Sequence, residues 1–424
     1  MRILILACAV LSGFASAQEF KAGFAKRDIT PQKPMPMWGY GARHDALSVG
    51  VRDPLYAKCI VFDAGDKKLA VVTMDIGRGP TAVMITAIRE AVVENGVAYV
   101  LISGSHTHHG PVIELLDAPE KGQGKFQDAV DYTMHLQVTL IDVIKEAASA
   151  TQPAKIGWGS AAVAMNRNRH DKTDPKPIDT EMSVVRVDGA NGTPIALLVN
   201  YHAHPTRLPA DDLRYSAEWP GEMMKNVESK FGAPCMFVQG AAGDLTTQST
   251  EETKTLEAFG AAIAGEALKI NETITTAVPV APSIKGIDNE FSYPTRSDIS
   301  SPASQKLLKG AFFPELVNAF MTEMGDKQIH PQLTSILLNG EIFWVGVSGE
   351  YFCSHSLHLK ERAEGVKVIF QGYCNGHHMY FPTIEGASQG GYGADASVSW
   401  VPLGAGEDIM DQALINLYKM QEKF

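Results

Sequence analysis

The chain has 424 residues, of which 45% are hydrophobic, and its formal net charge is -11 at pH 7. Such a composition is typical of a globular protein with a sizeable core, and an acidic balance without basic clusters argues against a nucleic-acid partner. The same charge gives no electrostatic attraction to an anionic membrane, so we expect at most transient contact with a membrane surface. The sequence does not indicate an oligomeric state.

The first 17 residues have the pattern of a cleaved signal peptide. They carry a basic residue at Arg2, continue through an apolar core and end in Ala-Ser-Ala at Ala17. A lipoprotein anchored at Cys8 is the alternative, although the apolar run before Cys8 is short for that class. Later in the chain no stretch approaches the roughly 18 to 20 apolar residues of a membrane helix. We therefore predict a mature protein of residues 18–424 in the periplasm or outside the cell.

Predicted strands and helices alternate in the first part of the mature chain. Leu69 to Asp75 and Ala98 to Ser103 have the pattern of strands, and Thr81 to Asn95 that of a helix between them. Phe126 to Ala150 predicts a long amphipathic helix. Its expected apolar face consists of Val130, Met134, Val138, Ile141 and Ala148. This alternation favours an α/β fold.

The strand that ends near Ser103 leads into a turn with three histidines, His106, His108 and His109, in the sequence YVLISGSHTHHGP. Side chains alternate faces in an extended segment, so His106 and His108 should point the same way and His109 elsewhere. Neutral imidazole is the commonest zinc ligand in proteins. The pattern predicts a metal or catalytic site at a strand end, and a hydrogen-bonded histidine cluster without metal is the alternative.

A second histidine pair, His202 and His204, also follows an apolar strand, in the sequence IALLVNYHAHPT. Open α/β sheets bind their ligands at the carboxyl ends of the strands, so the two histidine pairs can face one site. The repeated arrangement strengthens the prediction of a metal centre.

The turn after the short strand Cys235 to Val238 contains Asp244 and Thr246. Predicted helices flank this strand, at Trp219 to Phe231 and at Thr255 to Ile270. Asp244 fits either a site residue or a helix cap.

The segment Ile287 to Pro331 is poorly periodic and includes an apolar Ala-Phe-Phe run. It is either a lid or substrate-facing insertion, or an ordinary surface excursion. Its apolar residues fit an acyl-chain groove, or more simply the buried face of a helix: Phe312, Phe313, Leu316, Val317 and Phe320.

The clearest hairpin signal joins Gln332 to Leu338 with Glu341 to Val347 through Asn339-Gly340. The strand is followed by Glu350, which is either a ligand at a fourth strand end or a helix N-terminal charge. Because ligand-type residues follow four strands spread along the chain, we predict a single catalytic domain. Its fold class is α/β, a mixed sheet flanked by helices, with the metal site at the strand ends.

These motifs together resemble those of the neutral/alkaline non-lysosomal ceramidases. The chain reads SGSHTHHGP, NYHAHPT, GDLTTQ, SGEYFCSH and NGHHMYFPTIEGAS, in the order of the family's motifs. The resemblance implies a secreted zinc-dependent amidohydrolase that cleaves the N-acyl bond of ceramide or a related N-acyl lipid. It places the zinc ligands at His106, His204, Glu350 and Tyr380. The catalytic position next to the metal falls on His108, and the family's catalytic-site Ser corresponds to Thr246.

The chain departs from the family pattern at several positions. His109 replaces a small hydroxyl residue, Thr246 carries a methyl group that Ser lacks, and Thr247-Gln248 replaces Pro-Asn. Tyr380 is preferred to Tyr392 as the ligand because it aligns without a gap. The chain stops soon after the EGAS stretch, so we do not expect the family's C-terminal immunoglobulin-like domain. These departures bear on the substrate more than on the family.

A zinc ion held by two histidines and a carboxylate keeps an open position, where it acidifies a bound water and polarises a carbonyl group. This chemistry suits amide or ester hydrolysis. Tyr380 would complete the coordination or stabilise the oxyanion, and His108 would move a proton to the leaving amine. Thr246 would bind substrate or the attacking water, and Asp244 would orient a histidine.

Two other function classes fit the sequence less well. A metallo-β-lactamase pattern requires Asp and His where this chain has Gly110 and Pro111. A non-catalytic binding relative would be expected to lose ligand-type residues, whereas all four proposed positions keep them. A metal-dependent esterase or amidase acting on a non-lipid substrate stays open.

The mature chain contains an even number of cysteines in what would be an oxidising compartment, so up to two disulfides are possible. This count implies no disulfide. If one forms, Cys353 and Cys374 are the first candidates, because they flank a helix and a strand close to the proposed ligands. Cys59 and Cys235 lie in apolar runs that equally suit buried free thiols.

Overall fold

The computed structural model describes residues 19–424, so the predicted signal peptide at residues 1–17 lies outside the described residues. In chain order, the strands are β1 (Lys21–Asp28), β2 (Gly50–Val51), β3 (Tyr56–Asp63), β4 (Lys68–Met74), β5 (Val97–Gly104), β6 (Gln152–Ala162), β7 (Asn166–Asn168), β8 (Glu181–Gly189), β9 (Pro194–Tyr201), β10 (Arg214–Tyr215), β11 (Cys235–Gln239), β12 (Leu245–Thr247), β13 (Ile284–Glu290), β14 (Tyr293–Pro294), β15 (Gln328–Ile329), β16 (Gln332–Leu338), β17 (Ile342–Val347), β18 (Glu350–Tyr351), β19 (Lys367–Gln371) and β20 (Tyr380–Phe381). The α-helices are α1 (Ala82–Val92), α2 (Gln127–Ser149), α3 (Glu218–Phe231), α4 (Leu256–Glu272), α5 (Pro302–Ala311), α6 (Pro314–Glu323), α7 (Cys353–Arg362), α8 (Ile384–Ser388) and α9 (Ala405–Met420).

Two sheets form the centre of the described chain. The larger sheet has eight strands in the order β11-β9-β8-β6-β1-β3-β4-β5. Its two outermost pairs are parallel, and the neighbours between them are antiparallel. The smaller sheet has the order β13-β16-β17-β19, with β17 and β19 parallel. The prediction of an α/β fold with a mixed sheet is confirmed.

The two sheets pack face to face because the side chains of each strand alternate between two apolar environments. In β3, Ile60 faces the smaller sheet and shares a core cluster with Ile336 and Trp344. Its neighbours Cys59 and Val61 join the core on the opposite face. Helices α1 to α4 cover the outer face of the larger sheet, and α7 and α9 cover that of the smaller sheet.

Local sequence signals set the element boundaries. Helix α1 begins one residue later than predicted because the Thr81 side chain caps it by accepting a hydrogen bond from the Met84 N–H. The predicted hairpin forms between β16 and β17. Asn339 and Gly340 both have positive φ, 55° and 68°, as a tight hairpin turn requires.

The face predicted for α2 is partly wrong. Val130 and Ala148 are buried, but Met134 and Val138 are 63% and 51% exposed. Each step of four residues rotates the side-chain direction by roughly 40° beyond a full turn. The predicted series from Val130 to Val138, spaced by four, therefore turns away from the buried face. The buried residues of this helix are Ala129, Val130, Leu136, Leu140, Val143, Ile144, Ala147 and Ala148.

The segment that the sequence left open, residues 287–331, contains helices α5 and α6 and packs onto the core. Leu316, Val317 and Phe320 are the buried face of α6. The Phe313 ring lies 5.3 Å from that of Phe126, centroid to centroid. The segment is therefore a packed part of the fold rather than a surface excursion.

Cys353 and Cys374, the candidate pair for a disulfide, do not form one: within the described residues Cys59, Cys235, Cys353 and Cys374 are all buried free thiols. The Cys353 sulfur lies 3.3 Å from Asp244 Oδ2. Burial raises the pKa of the Cys353 thiol well above its usual value, and Asp244 raises it further. No helix in the described range is both long enough and apolar enough to cross a membrane.

Candidate metal centre

The carboxyl ends of β5, β9, β11, β17 and β19 meet between the two sheets, and buried amide side chains join them. Gln239 Nε2 at the end of β11 donates to the carbonyl oxygens of Ser105, at 3.3 Å, and Ala203, at 2.9 Å. Gln371 Nε2 at the end of β19 donates to Ser103 Oγ at 2.8 Å. These bonds fix the segments that follow β5 and β9, which carry the predicted histidines.

His106 leaves the extended conformation, because its φ is 67°. The expectation that His106 and His108 share one face of an extended segment is therefore wrong in its geometry. Their side chains nevertheless converge, with 3.3 Å between the two Nε2 atoms. A backbone hydrogen bond of 3.1 Å from the His106 N–H to the Ile76 carbonyl holds the left-handed residue in place.

Glu350 and Tyr380 are brought together by a short parallel ladder between β18 and β20. In its register Glu350 is directly opposite Tyr380. Both side chains are buried, and the Tyr380 ring stacks on that of His204 with centroids 6.5 Å apart. All four residues predicted as ligands thus lie in one cluster.

The centre of the cluster is a set of nitrogen and oxygen atoms with little space between them. His106 Nε2 lies 3.1 Å from His204 Nε2, and both atoms lie 3.2 Å from Glu350 Oε2. Within the described residues, two groups of three side chains could hold a metal ion, because in each group the three ligand atoms lie within 4.8 Å of one another. The first group is His106, His108 and His204, and the second is His106, Glu350 and His377.

The tautomers of the two central histidines fit a bound cation. His106 Nδ1 lies 2.7 Å from the Gly77 carbonyl oxygen, and His204 Nδ1 lies 2.6 Å from that of Ala242. A carbonyl can only accept, so in the neutral rings both Nδ1 atoms carry the proton and both Nε2 atoms present lone pairs. Two lone pairs and a carboxylate oxygen in contact repel one another unless positive charge lies nearby. The Arg169 guanidinium, 3.0 Å from His204 Nε2, supplies one such charge, and a metal ion among the three atoms would supply another. Backbone carbonyls that fix the outer nitrogen are also the usual support of metal-bound histidine.

Burial sets the charge states around this cluster. It lowers the pKa of His204 to about 3, with help from the positive charge of Arg169, and lowers that of His108 well below its usual value. Burial alone would raise the pKa of Glu350, but the facing imidazoles, His106 first among them, hold it well below the usual range. The site therefore offers the neutral nitrogens of His204 and His108 and an ionised carboxylate, which belong to the donor set that zinc prefers.

Arg169 belongs to the site although no sequence signal pointed to it. Its Nη2 lies 3.0 Å from His204 Nε2 and donates to Tyr380 Oη at 3.2 Å and to the Gly243 carbonyl at 3.1 Å. Burial and the nearby Glu350 raise the pKa of Tyr380 well above its usual value, and Arg169 opposes that shift. The phenol is therefore protonated and held by a permanent positive charge.

His377 and Trp38 were also missed. His377 Nε2 lies 3.3 Å from Glu350 Oε1. The Trp38 indole packs edge-on against His106, at 5.2 Å between ring centroids, and its N–H donates to Glu114 Oε1 at 2.8 Å. The HH pair beside Tyr380 was a usable signal for His377, whereas nothing local distinguished Trp38.

His109 points away from the metal centre, as predicted. Its Nε2 lies 2.7 Å from Arg43 Nη2, and Arg43 also donates to the His108 carbonyl. Burial lowers the pKa of His109 to about 4, and Arg43 adds to the effect. The Arg43–His109 pair fixes the backbone of the histidine turn.

His202, whose individual role no sequence pattern indicates, supports the end of β9. Its Nδ1 accepts a hydrogen bond from the Ala241 N–H at 2.9 Å. Nε2 then carries the proton and faces Asp179 Oδ2 at 3.3 Å. His202 thus ties the strand that carries His204 to the neighbouring turn.

Asp244 and Thr246 lie near the cluster but not in it. Asp244 accepts hydrogen bonds from the Cys353 N–H and from Asn168 Nδ2, both at 2.7 Å. The group that it orients is therefore the start of α7, and not a histidine as the sequence predicted. Thr246 lies across a backbone bridge from His204 and does not line the cavity above the cluster. Catalytic roles for both residues stay predictions.

A cavity of about 170 Å³ opens above the cluster. Its floor contains His108, Glu350 and Tyr380, and α6 with the residues before it forms one wall. The apolar and aromatic residues that line it are Met37, Trp38, Tyr40, Val112, Ala311, Phe312, Phe313, Leu316, Met379, Tyr392 and Val398. The part of the segment 287–331 around Phe312 and Leu316 therefore faces the site, and the cavity suits an apolar group next to the cluster.

The chain is similar to known proteins in sequence and in fold. Residues 20–247 match the family model for neutral/alkaline non-lysosomal ceramidase, N-terminal. The fold is similar to that of neutral ceramidase from Pseudomonas aeruginosa, with a TM-score of 0.76 and 15% identity over 96% of this chain and 75% of that one. It is also similar to a ceramidase complexed with C2, with a TM-score of 0.75 and 15% identity over 96% of this chain and 76% of that one.

Proposed function

Because this chain belongs to the neutral/alkaline non-lysosomal ceramidase family, we propose that it is a zinc-dependent hydrolase of an N-acyl amide bond, in ceramide or a related N-acyl lipid. One observation carries the proposal. The Nε2 atoms of His106 and His204 meet a carboxylate oxygen of Glu350 at the floor of an apolar cavity. His106, His204, Glu350 and Tyr380 would hold the ion.

Bound zinc would supply Lewis-acid polarisation of the amide carbonyl and activation of water. His108 lies beside the two central histidines, and as a neutral imidazole it has one proton to give and one lone pair to receive another. It would transfer a proton to the leaving amine. Arg169 donates to Tyr380 Oη, so the Tyr380 O–H would be available to turn toward the developing oxyanion and stabilise it.

The cavity favours a substrate with an apolar acyl group. Phe312 and Leu316 line one wall and Met37 and Trp38 another, so the acyl chain would replace water next to the reacting carbonyl. The net charge of -11 would repel an anionic bilayer. We therefore expect dispersed or short-chain substrates to be hydrolysed faster than ceramide embedded in a bilayer.

The substrate test compares a short-chain N-acyl-sphingosine in solution with long-chain ceramide in vesicles, and it measures the release of fatty acid. The proposal expects turnover of both, faster for the dispersed substrate. Equal or faster turnover in vesicles would refute the access argument. No release from either substrate would leave a metal-dependent esterase or amidase of another specificity.

The metal test measures zinc per chain in the purified protein and in Glu350→Ala. We expect about one zinc in the wild type and little in the variant, because the substitution removes the only carboxylate ligand. Glu385→Ala, which removes an exposed carboxylate of α8, is the control and should keep its zinc. Wild-type zinc content in Glu350→Ala would reject the ligand assignment.

The proposed location is the periplasm or the outside of the cell, on the pattern of residues 1–17 alone. N-terminal sequencing of the protein from fractionated cells tests it. A mature chain that begins at Gln18 in the periplasmic or extracellular fraction is the expected result, and an uncleaved chain in the cytoplasm would reject it.

A further inference from the structure

We propose that His377 is a positioning residue of the metal centre: its Nε2–H group holds Oε1 of Glu350 and so leaves Oε2 facing His106 and His204. The inference rests on the proposed zinc site. It adds a residue that neither the ligand set nor the catalytic roles above include.

The two oxygens of Glu350 have different surroundings. Oε2 lies 3.2 Å from the Nε2 atoms of both His106 and His204, whereas Oε1 lies 3.3 Å from His377 Nε2. His377 Nε2 is buried, and no partner within the described residues gives it a well-aligned hydrogen bond. Glu350 Oε1 is thus the acceptor within reach of this N–H group. A carboxylate held by one oxygen cannot rotate away from the two imidazoles.

The chain around His377 is built to keep its ring in place. The side chain of Asn375 donates to the Val100 carbonyl at 2.7 Å and accepts from the Ile102 N–H at 2.9 Å, which ties the turn to β5. Asn375 and Gly376 have φ values of 54° and 145°. The Trp38 ring contacts the His377 ring edge-on, with centroids 5.2 Å apart. Because these contacts hold the His377 ring in one position, the ring can support a neighbouring side chain.

The geometry favours a role of His377 in holding Glu350 over a role as ligand of a second metal ion. The two candidate three-residue groups share His106, whose Nδ1 is taken by the Gly77 carbonyl. Its Nε2 has one lone pair and so can bind one ion only. His377 therefore acts through Glu350 on the same ion that His106 and His204 would bind.

The experiment measures zinc affinity by competition with a chelator in His377→Ala and His377→Gln. Loss of a group that orients a ligand typically weakens metal binding by roughly 10- to 100-fold, and we expect this in His377→Ala. His377→Gln keeps an N–H donor and should bind zinc within about threefold of the wild type. His378→Gln is the matched control. That equally buried neighbour has its Nδ1 3.1 Å from Ser348 Oγ and should not affect affinity.

Thermal unfolding of the zinc-free variants separates a local effect from a loss of folding. Unchanged zinc affinity in a folded His377→Ala would overturn the proposal. Binding by His377→Gln as weak as that by His377→Ala would also overturn it, because the imidazole would then be a ligand itself. Two zinc ions in the wild type and one in His377→Ala would mean a second metal site. A wild type that binds no zinc would refute the proposed function as well.

Discussion

Replacing Asp244 with Ala tests whether this residue supports the metal centre or takes part in catalysis. Asp244 is fully buried and accepts two hydrogen bonds of 2.7 Å, from the Cys353 N–H at the start of α7 and from Asn168 Nδ2. Glu350 lies three residues before Cys353, and Arg169 directly follows Asn168. The carboxylate therefore joins the two segments that carry a proposed ligand and the buried arginine.

The expected loss of stability follows from these bonds. Each hydrogen bond to a charged group contributes about 1.5–3 kcal/mol, so two of them contribute about 3–6 kcal/mol. Burial raises the pKa of Asp244, which means that the ionised form is less stable in the folded protein than in water, and this offsets part of the gain. We expect Asp244→Ala to lower the free energy of unfolding by about 2–4 kcal/mol.

The assay is urea denaturation at neutral pH, with zinc affinity and turnover measured on the folded protein. Zinc affinity should fall by about tenfold, because the support of Glu350 and Arg169 is lost. Asp244→Asn keeps the volume and one acceptor but places a second N–H group against Asn168, so about half of the stability loss should remain. An unchanged free energy of unfolding in Asp244→Ala would refute the supporting role. Loss of turnover at normal stability and zinc content would instead make Asp244 catalytic.

Three further predictions concern single side chains. In His108→Ala zinc should be retained while turnover falls by roughly 100- to 10,000-fold, and loss of zinc as well would make His108 a ligand. Thr246→Ala should lower turnover if its hydroxyl binds substrate or water, and unchanged kinetics would exclude the hydroxyl from the mechanism. Burial lowers the pKa of His355 to about 4, so below about pH 6.5 the unfolded chain takes up a proton that the folded one does not, and stability falls as the pH drops through this range. In His355→Gln that fall should be smaller by up to about 3 kcal/mol, and the same pH dependence as in the wild type, measured by urea denaturation, would contradict the prediction.

Much of the fold could be read from local pattern. The hairpin of β16 and β17 follows from Asn339-Gly340, since a turn of this kind depends only on the residues that form it. The strands before His106 and His204 follow from their apolar runs. The buried face predicted for α2 from local pattern was partly wrong, because Met134 and Val138 are apolar yet exposed. Which face of a helix is buried depends on the partner it packs against.

The sequence by itself also placed the metal-ligand types at strand ends, because histidine pairs after apolar runs are a local signal. It could not show which ring atoms meet. The tertiary structure decided that His106 and His204 share one point, because Gln239 and the carbonyls of Gly77 and Ala242 fix their positions from distant parts of the chain.

The tertiary structure also decided that Arg169, Trp38 and His377 belong to the site. Each lies far in sequence from at least one of the residues it contacts, and only His377 has a local signal, the His377-His378 pair beside Tyr380. Asp244 was recognised, but its partner was not, since a buried carboxylate hydrogen-bonds to whichever donors the fold brings near it. Residue type and local spacing determined what chemistry this chain can perform, and long-range hydrogen bonds and packing determined which side chains take part in it.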